Sequence, residues 1–343
     1  MGNLRLFREG DLIETVDGIV FDVKGLVHPP DRVIAFPRFI PTLDGPRSRG
    51  KSRYGKVYSL PDRFKFLQQN APDLVVRDPV FDETLCEVPA ANIKKHYQPT
   101  QKLRKLRACK EPENLEAKAL QLALSLKNEV SIPWNSIGIS GSLLAGLQTP
   151  SSDIDPIIYG SENCRKAYTG LQKILKEIST EFKPYTREEL QVLFDFRSKD
   201  TAMGFEDFVK VESRKAFQGK YGGADYFIRF VKDWDEISDK YGDLRYRNSG
   251  YARIKATIAD ASEALFTPCT YRTEAVEVTQ GPVFKTIQEL VSFRGRFCEQ
   301  AKKGEAVIAQ GKIEKVTDTR NHREWHRLII GNKASDYMIL SRR

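Results

Sequence analysis

The stretch Gly138-Ile-Ser-Gly-Ser-Leu-Leu-Ala-Gly-Leu-Gln-Thr-Pro-Ser-Ser-Asp-Ile-Asp-Pro-Ile-Ile-Tyr159 sets a Gly-Ser pair and an Asp-x-Asp pair between two short apolar runs. Residues 137–139 read as a strand, and Gly141-Ser142 then opens a helix through Leu143, Leu144 and Leu147. A helix start beside a glycine offers free N–H groups and a positive dipole end, which suits a phosphate chain. Asp153 and Asp155 are two apart, so a strand over 154–159 projects both carboxylates from one face. Such a pair of hard oxygen ligands binds divalent metal. Pro156 removes a ladder donor directly after the second aspartate, which predicts an edge strand or a bulge there.

The order strand, Gly-Ser, helix, strand, Asp-x-Asp resembles the signature of the DNA polymerase beta-like nucleotidyltransferase superfamily, with Gly141, Ser142, Asp153 and Asp155 as the matching residues. More loosely, the rest of the chain resembles uncharacterised archaeal predicted nucleotidyltransferases. The resemblance implies transfer of a nucleoside monophosphate from an NTP to a hydroxyl, by in-line displacement with Mg²⁺ or Mn²⁺. Asp153 and Asp155 would be the metal ligands, and Ser142 with the amides around Gly141 would hold the β- and γ-phosphates. The family pattern usually adds a third carboxylate on a neighbouring strand. The run 225–231 alternates, with Asp225, Phe227, Arg229 and Val231 on one face, so Asp225 is the first candidate. Asp260 and Asp195 are the second and third. Arg229 is a candidate for binding triphosphate oxygens bidentately, and Arg214, Lys215 and Lys220 are further cations that could attract phosphate.

The 343 residues are 40% hydrophobic and 29% charged, as in a folded chain of two or three domains. No apolar run approaches the roughly 18 residues that span a bilayer, and the first residues lack a signal-peptide core, so a cytoplasmic protein with no membrane partner is expected. Cys86, Cys109, Cys164, Cys269 and Cys298 are scattered and odd in number, which suggests neither zinc site nor disulfide framework. His322 and His326 flank Arg-Glu-Trp, which reads as an exposed turn before a strand rather than a ligand set.

The net charge of +9 is uneven: residues 1–110 carry 20 basic and 13 acidic side chains, residues 111–284 carry 22 and 26, and residues 285–343 carry 13 and 7. A mildly acidic middle between basic ends suits an enzyme gripping a polyanion. Arg47, Arg49, Lys51 and Arg53, with Tyr54, read as a mobile loop contacting phosphates and stacking on a base, and Lys94 to Arg107 as a basic linker entering a helix. Arg294 and Arg296 beside Phe293 and Phe297 form a second such mixture.

Strand-like runs dominate both ends. The expected fold is therefore α+β: residues 1–110 a basic β-rich domain, 111–250 a polymerase beta-like palm, and 251–343 a small β-barrel, with an OB-like form as one candidate. The expected activity is metal-dependent nucleotidyl transfer from an NTP to a nucleic acid, RNA ahead of DNA. The alternatives are a non-catalytic nucleic-acid-binding protein with the palm as scaffold or nucleotide sensor, and nucleotidylation of a protein or small molecule.

Overall fold

The computed structural model describes residues 6–200, 202–282 and 286–341. The chain forms two compact units: residues up to 76 with 85–184 and 216–238, and residues 77–84 with 185–215 and 239 onward. Both are discontinuous in sequence. Residues 6–76 and the Gly-Ser segment, assigned to separate domains by composition, share one unit.

Strands β1 (Leu12–Thr15), β2 (Val20–Val23), β3 (Arg32–Pro41), β4 (Arg47–Arg49), β5 (Ser52–Lys56), β6 (Val75–Asp78), β7 (Glu83–Pro89) and β8 (Ile93–Tyr97) form one sheet, which belongs to the first unit except for the end of β6 and the start of β7. Its order is β4-β5-β3-β2-β1-β8, with β7 on β3 and β6 on β7. The basic stretch 47–56 is thus the hairpin β4–β5, turning at Gly50 (φ +60°), and not a loop. The basic run from Lys94 likewise enters the sheet, as β8. Helix α1 (Leu60–Asn70) starts where the Ser59 hydroxyl accepts from the Asp62 N–H. Helices α2 (Pro99–Ala108) and α3 (Asn114–Asn128) follow, and α3 buries Ala119, Leu122, Ala123 and Leu126 at helical spacing.

The remaining elements of this unit are β9 (Ile137–Ile139), α4 (Gly141–Ala145), β10 (Pro156–Tyr159), α5 (Ser161–Ile174), β11 (Phe182–Lys183), β12 (Gln218–Tyr221), β13 (Ala224–Phe227) and β14 (Arg229–Val231). Strands β14-β10-β9 make a mixed three-stranded sheet, β10 parallel to β14 and antiparallel to β9. Helix α5 buries Cys164, Ala167, Leu171 and Ile174 at helical spacing and ends before Ile178, which is 94% exposed. Pro156 lies in the central strand, contrary to the expected edge. The ladder breaks there instead: Ile154 exchanges bonds with Asp225 O and the Phe227 N–H, whereas the Ile228 N–H turns to Phe217 O, separating β13 from β14. Leu12, Val20, Phe39 and Tyr54 of the large sheet share a core with Leu144, Ala145 and Leu147.

The second unit holds α6 (Arg187–Arg197), whose Thr186 and Glu189 form a capping box, and α7 (Phe205–Glu212). It also holds β15 (Leu244–Asp260), β16 (Cys269–Gln280), β17 (Glu289–Ser292), β18 (Ala306–Asp318), β19 (Arg323–Ile329) and β20 (Tyr337–Leu340). Pairing runs β15-β16-β17-β19-β18 and returns from β18 to β15, with β17 and β19 parallel and β20 on β18. The long β15 makes this return, because it pairs along both edges. Arg214 and Lys215 are internal to this unit: Arg214 pairs with Glu305, and the fully buried Lys215 ammonium donates to Glu212, Gln300 and Arg296 O. Among the described residues no helix is long and apolar enough to cross a membrane.

Candidate functional site

At the end of β9 the Ser140 N–H donates to Asp155 O (2.8 Å), and the Ser140 hydroxyl donates to Gly10 O (2.6 Å). The chain then turns through Gly141 at φ +62°, where an added Cβ would lie 1.7 Å from Asp155 Oδ2. The Asp155 carboxylate therefore rests on the glycine Cα, an approach only a hydrogen substituent permits. The next residue, Ser142, is 3% exposed, and its hydroxyl has no hydrogen-bond partner among the described residues. An unsatisfied buried hydroxyl costs about 1–3 kcal/mol. A ligand oxygen would relieve that cost.

Asp153 and Asp155, both half-buried, flank Ile154, which bridges Tyr226 in parallel. Burial and then the charge of Asp153 push the Asp155 carboxyl up to about 7, against the pull of Arg229, Lys56 and Arg38. A divalent cation removes that repulsion. The donor set fits Mg²⁺ or Mn²⁺: one or two carboxylates suffice when substrate phosphates and water complete the shell. Among the described residues no group of three or more His, Cys, Asp or Glu is gathered to hold a metal ion.

Arg229 is engaged rather than reaching for ligand. Its guanidinium pairs with the buried Glu9 (3.0 Å) and stands 3.9 Å from Asp22, while Lys24 pairs with both acids (3.1 and 2.8 Å). Although burial opposes it, Glu9, Asp22 and Asp155 hold that guanidinium charged. Glu9, Asp22 and Lys24 were missed in the sequence. The available signal was an aspartate inside the strand Val20–Val23, all four residues of which are buried.

The third carboxylates separate as well. Asp225 brings its backbone beside Ile154, but its side chain is 47% exposed and pairs with Lys220 (3.0 Å). Asp260 accepts from Ser262, and Asp195 lies exposed on α6 and accepts from Gln191; both belong to the second unit.

Most residues read as nucleic-acid contacts are structural. Arg47 is buried and donates to Leu147 O (2.5 Å) and Ser152 Oγ (3.3 Å). Arg49 donates to Ala145 O, Glu14, Tyr54 and Tyr97. Tyr54 is 4% exposed, too buried to stack on a base. The two arginines thus clamp the residues that follow α4 and lead into Asp153. Of the hairpin residues read as contacts, Lys51 and Arg53 are exposed, and Arg53 donates to Gly45 O. In the second unit Arg294 donates to Gly331 O, and Arg296 lies over Phe297, which is 1% exposed and packs in the core. Arg245, Arg247, Arg253 and Lys255 are exposed on β15, but a register shift between Asn248 and Tyr251 sets the first two and the last two on opposite faces, and Arg253 donates to Gln310. For Arg47→Ala we expect a loss of about 2 kcal/mol in chemical denaturation, from the stranded Leu147 carbonyl and the lost packing of the guanidinium over Phe39. Oligonucleotide affinity should be unchanged in the folded variant, whereas a phosphate contact would lose affinity without losing stability.

An uncharacterized protein of Methanocaldococcus jannaschii, MJ1086, is 30% identical over 330 residues, covering 94% of each chain. The chain belongs to that archaeal protein's family. No family model and no solved structure matches it. The relationship spans the Gly141 to Asp155 segment and both units, so the two proteins are related as wholes.

Proposed function

We propose that the protein is a metal-dependent nucleotidyltransferase that moves a nucleoside monophosphate from an NTP to a nucleic acid. One observation carries the reading. The Gly141 turn seats the Asp155 carboxylate against the glycine Cα, one residue before the orphaned Ser142 hydroxyl and two residues after Asp153. The order β9, α4, β10, α5, β14 around a mixed sheet supports a polymerase beta-like palm, and the returning strand order of the second unit supports an OB-like barrel.

Asp153 and Asp155 would hold Mg²⁺ or Mn²⁺, which when bound activates the incoming hydroxyl and offsets charge on the leaving pyrophosphate. Ser142 would donate to a phosphate oxygen, and Arg229 with Glu9 would fix the floor under Asp155. The Lys220 partner of Asp225 favours a second reading, in which the same site binds nucleotide without transferring it.

Four α-phosphate-labelled nucleotides, each offered separately with Mg²⁺ or Mn²⁺ and RNA or DNA oligonucleotides, test the first reading. The wild type should label a polymer, and the Asp153→Ala/Asp155→Ala variant should not. Equal labelling by that variant would sink it, and nucleotide bound without any label would favour the second.

A further inference from the structure

Two half-buried cations of the first sheet make no ion pair among the described residues and feel carboxylates only at longer range. Arg38 on β3 and Lys56 on β5 are both half-buried, and among the described residues neither side chain has a hydrogen bond or an ion pair. The sheet brings them together: Phe39 pairs with Lys56, and the Val57 N–H donates to Arg38 O (3.0 Å). Between them stands Tyr58, 48% exposed, its ring 5.6 Å from the Arg38 guanidinium and 4.7 Å from the Lys56 ammonium. The aromatic face holds both cations in place. Burial and the Arg38 charge push the Lys56 ammonium down, and Asp153 and Asp155 pull it back up, so the two cations lie within the field of the carboxylates. By contrast Lys24 and Arg229 in the same region are each matched by Glu9 and Asp22.

Like charges held together and partly withdrawn from water are unfavourable unless an anion joins them. The anion must also suit Asp153 and Asp155, which repel a bare phosphate and accept one that arrives with a divalent cation. We propose that Arg38 and Lys56, held by Tyr58, clamp the polyphosphate of a nucleoside triphosphate whose metal sits on Asp153 and Asp155. The first sheet thereby forms a wall of the nucleotide site rather than a separate nucleic-acid-binding domain. This rests on the nucleotidyltransferase reading and deepens it.

The test is equilibrium binding to the full chain of Mg²⁺ with the α,β-methylene analogues of the four nucleoside triphosphates, beside inorganic tripolyphosphate and a single-stranded RNA. Arg38→Gln and Lys56→Gln should each weaken an analogue about tenfold, as expected for loss of one charge-assisted contact. The double variant should lose tripolyphosphate binding altogether. Tyr58→Phe should bind like wild type and Tyr58→Ala more weakly, with folding of every variant checked by circular dichroism. If the wild type binds an analogue and the glutamine variants bind it equally well, the clamp is overturned while the nucleotide reading stands. Loss confined to RNA would make the pair a polymer contact and also overturn it. No binding of any analogue to the wild type would remove both.

Discussion

Gly141→Ala is expected to destabilise the first unit by about 3 kcal/mol and to abolish nucleotide binding. Two costs combine. A non-glycine residue at φ +62° costs about 1–2 kcal/mol. The new Cβ would also meet Asp155 Oδ2 at 1.7 Å and Cγ at 2.7 Å, on a residue whose carbonyl is fixed by the Ser140 N–H, so the carboxylate must swing away. Gly146→Ala separates the two costs: it has φ +67°, but its nearest neighbour is Arg49 Cδ at 3.7 Å, so only the backbone penalty of about 1 kcal/mol is expected. Adding Asp155→Ala to Gly141→Ala should restore much of the stability, because only Asp155 Cβ, at 3.1 Å, would remain near the new methyl. Urea denaturation of the four-member cycle measures the coupling. Strict additivity would show that the carboxylate does not rest on Gly141.

Asp155→Asn is expected to stabilise the metal-free protein above neutral pH while abolishing nucleotidyl transfer. With its carboxyl pushed up to about 7 by burial and Asp153, the folded state keeps a proton that the unfolded chain releases near 3.8. That contribution is complete below pH 3.8 and is lost as pH rises through about 7. The wild type should lose about 2 kcal/mol relative to the asparagine variant between pH 5 and 8. Each pH unit separating folded from unfolded titration is worth about 1.4 kcal/mol, and water reaching the pair reduces the full amount. His28 slopes the other way: burial holds it down to about 4, with Nδ1 accepting from the Ile34 N–H, so its contribution is lost as pH falls from 6.5 toward 4. The difference between variant and wild type cancels it. Mg²⁺ at pH 8 should raise the wild-type melting temperature and leave Asp155→Asn unmoved. Identical pH slopes in the two proteins would place the raised carboxyl elsewhere.

The Gly-Ser turn and the flanking strands were legible because each is written in local spacing. The strand-like runs at both ends likewise marked the sheets found there. Arg47, Arg49 and Tyr54 misled because charge in a Gly- and Ser-rich run is equally consistent with a solvated loop and with a hairpin whose arginines cap distant carbonyls. Their partners, Leu147 O and Ala145 O, lie about a hundred residues away.

By itself the sequence determined the strand before Gly141-Ser142, the turn into a helix there, a strand after Asp155, which begins at Pro156, and ends of the chain rich in strands. These follow from strand and helix periodicity and from the freedom of glycine, which act over a few residues. Tertiary structure decided which charges are neutralised. Arg229 and Lys24 are matched by Glu9 and Asp22, while Arg38 and Lys56 make no ion pair among the described residues. Whether a charge is paired depends on what long-range strand order brings within about 4 Å of it, and no local pattern encodes that order.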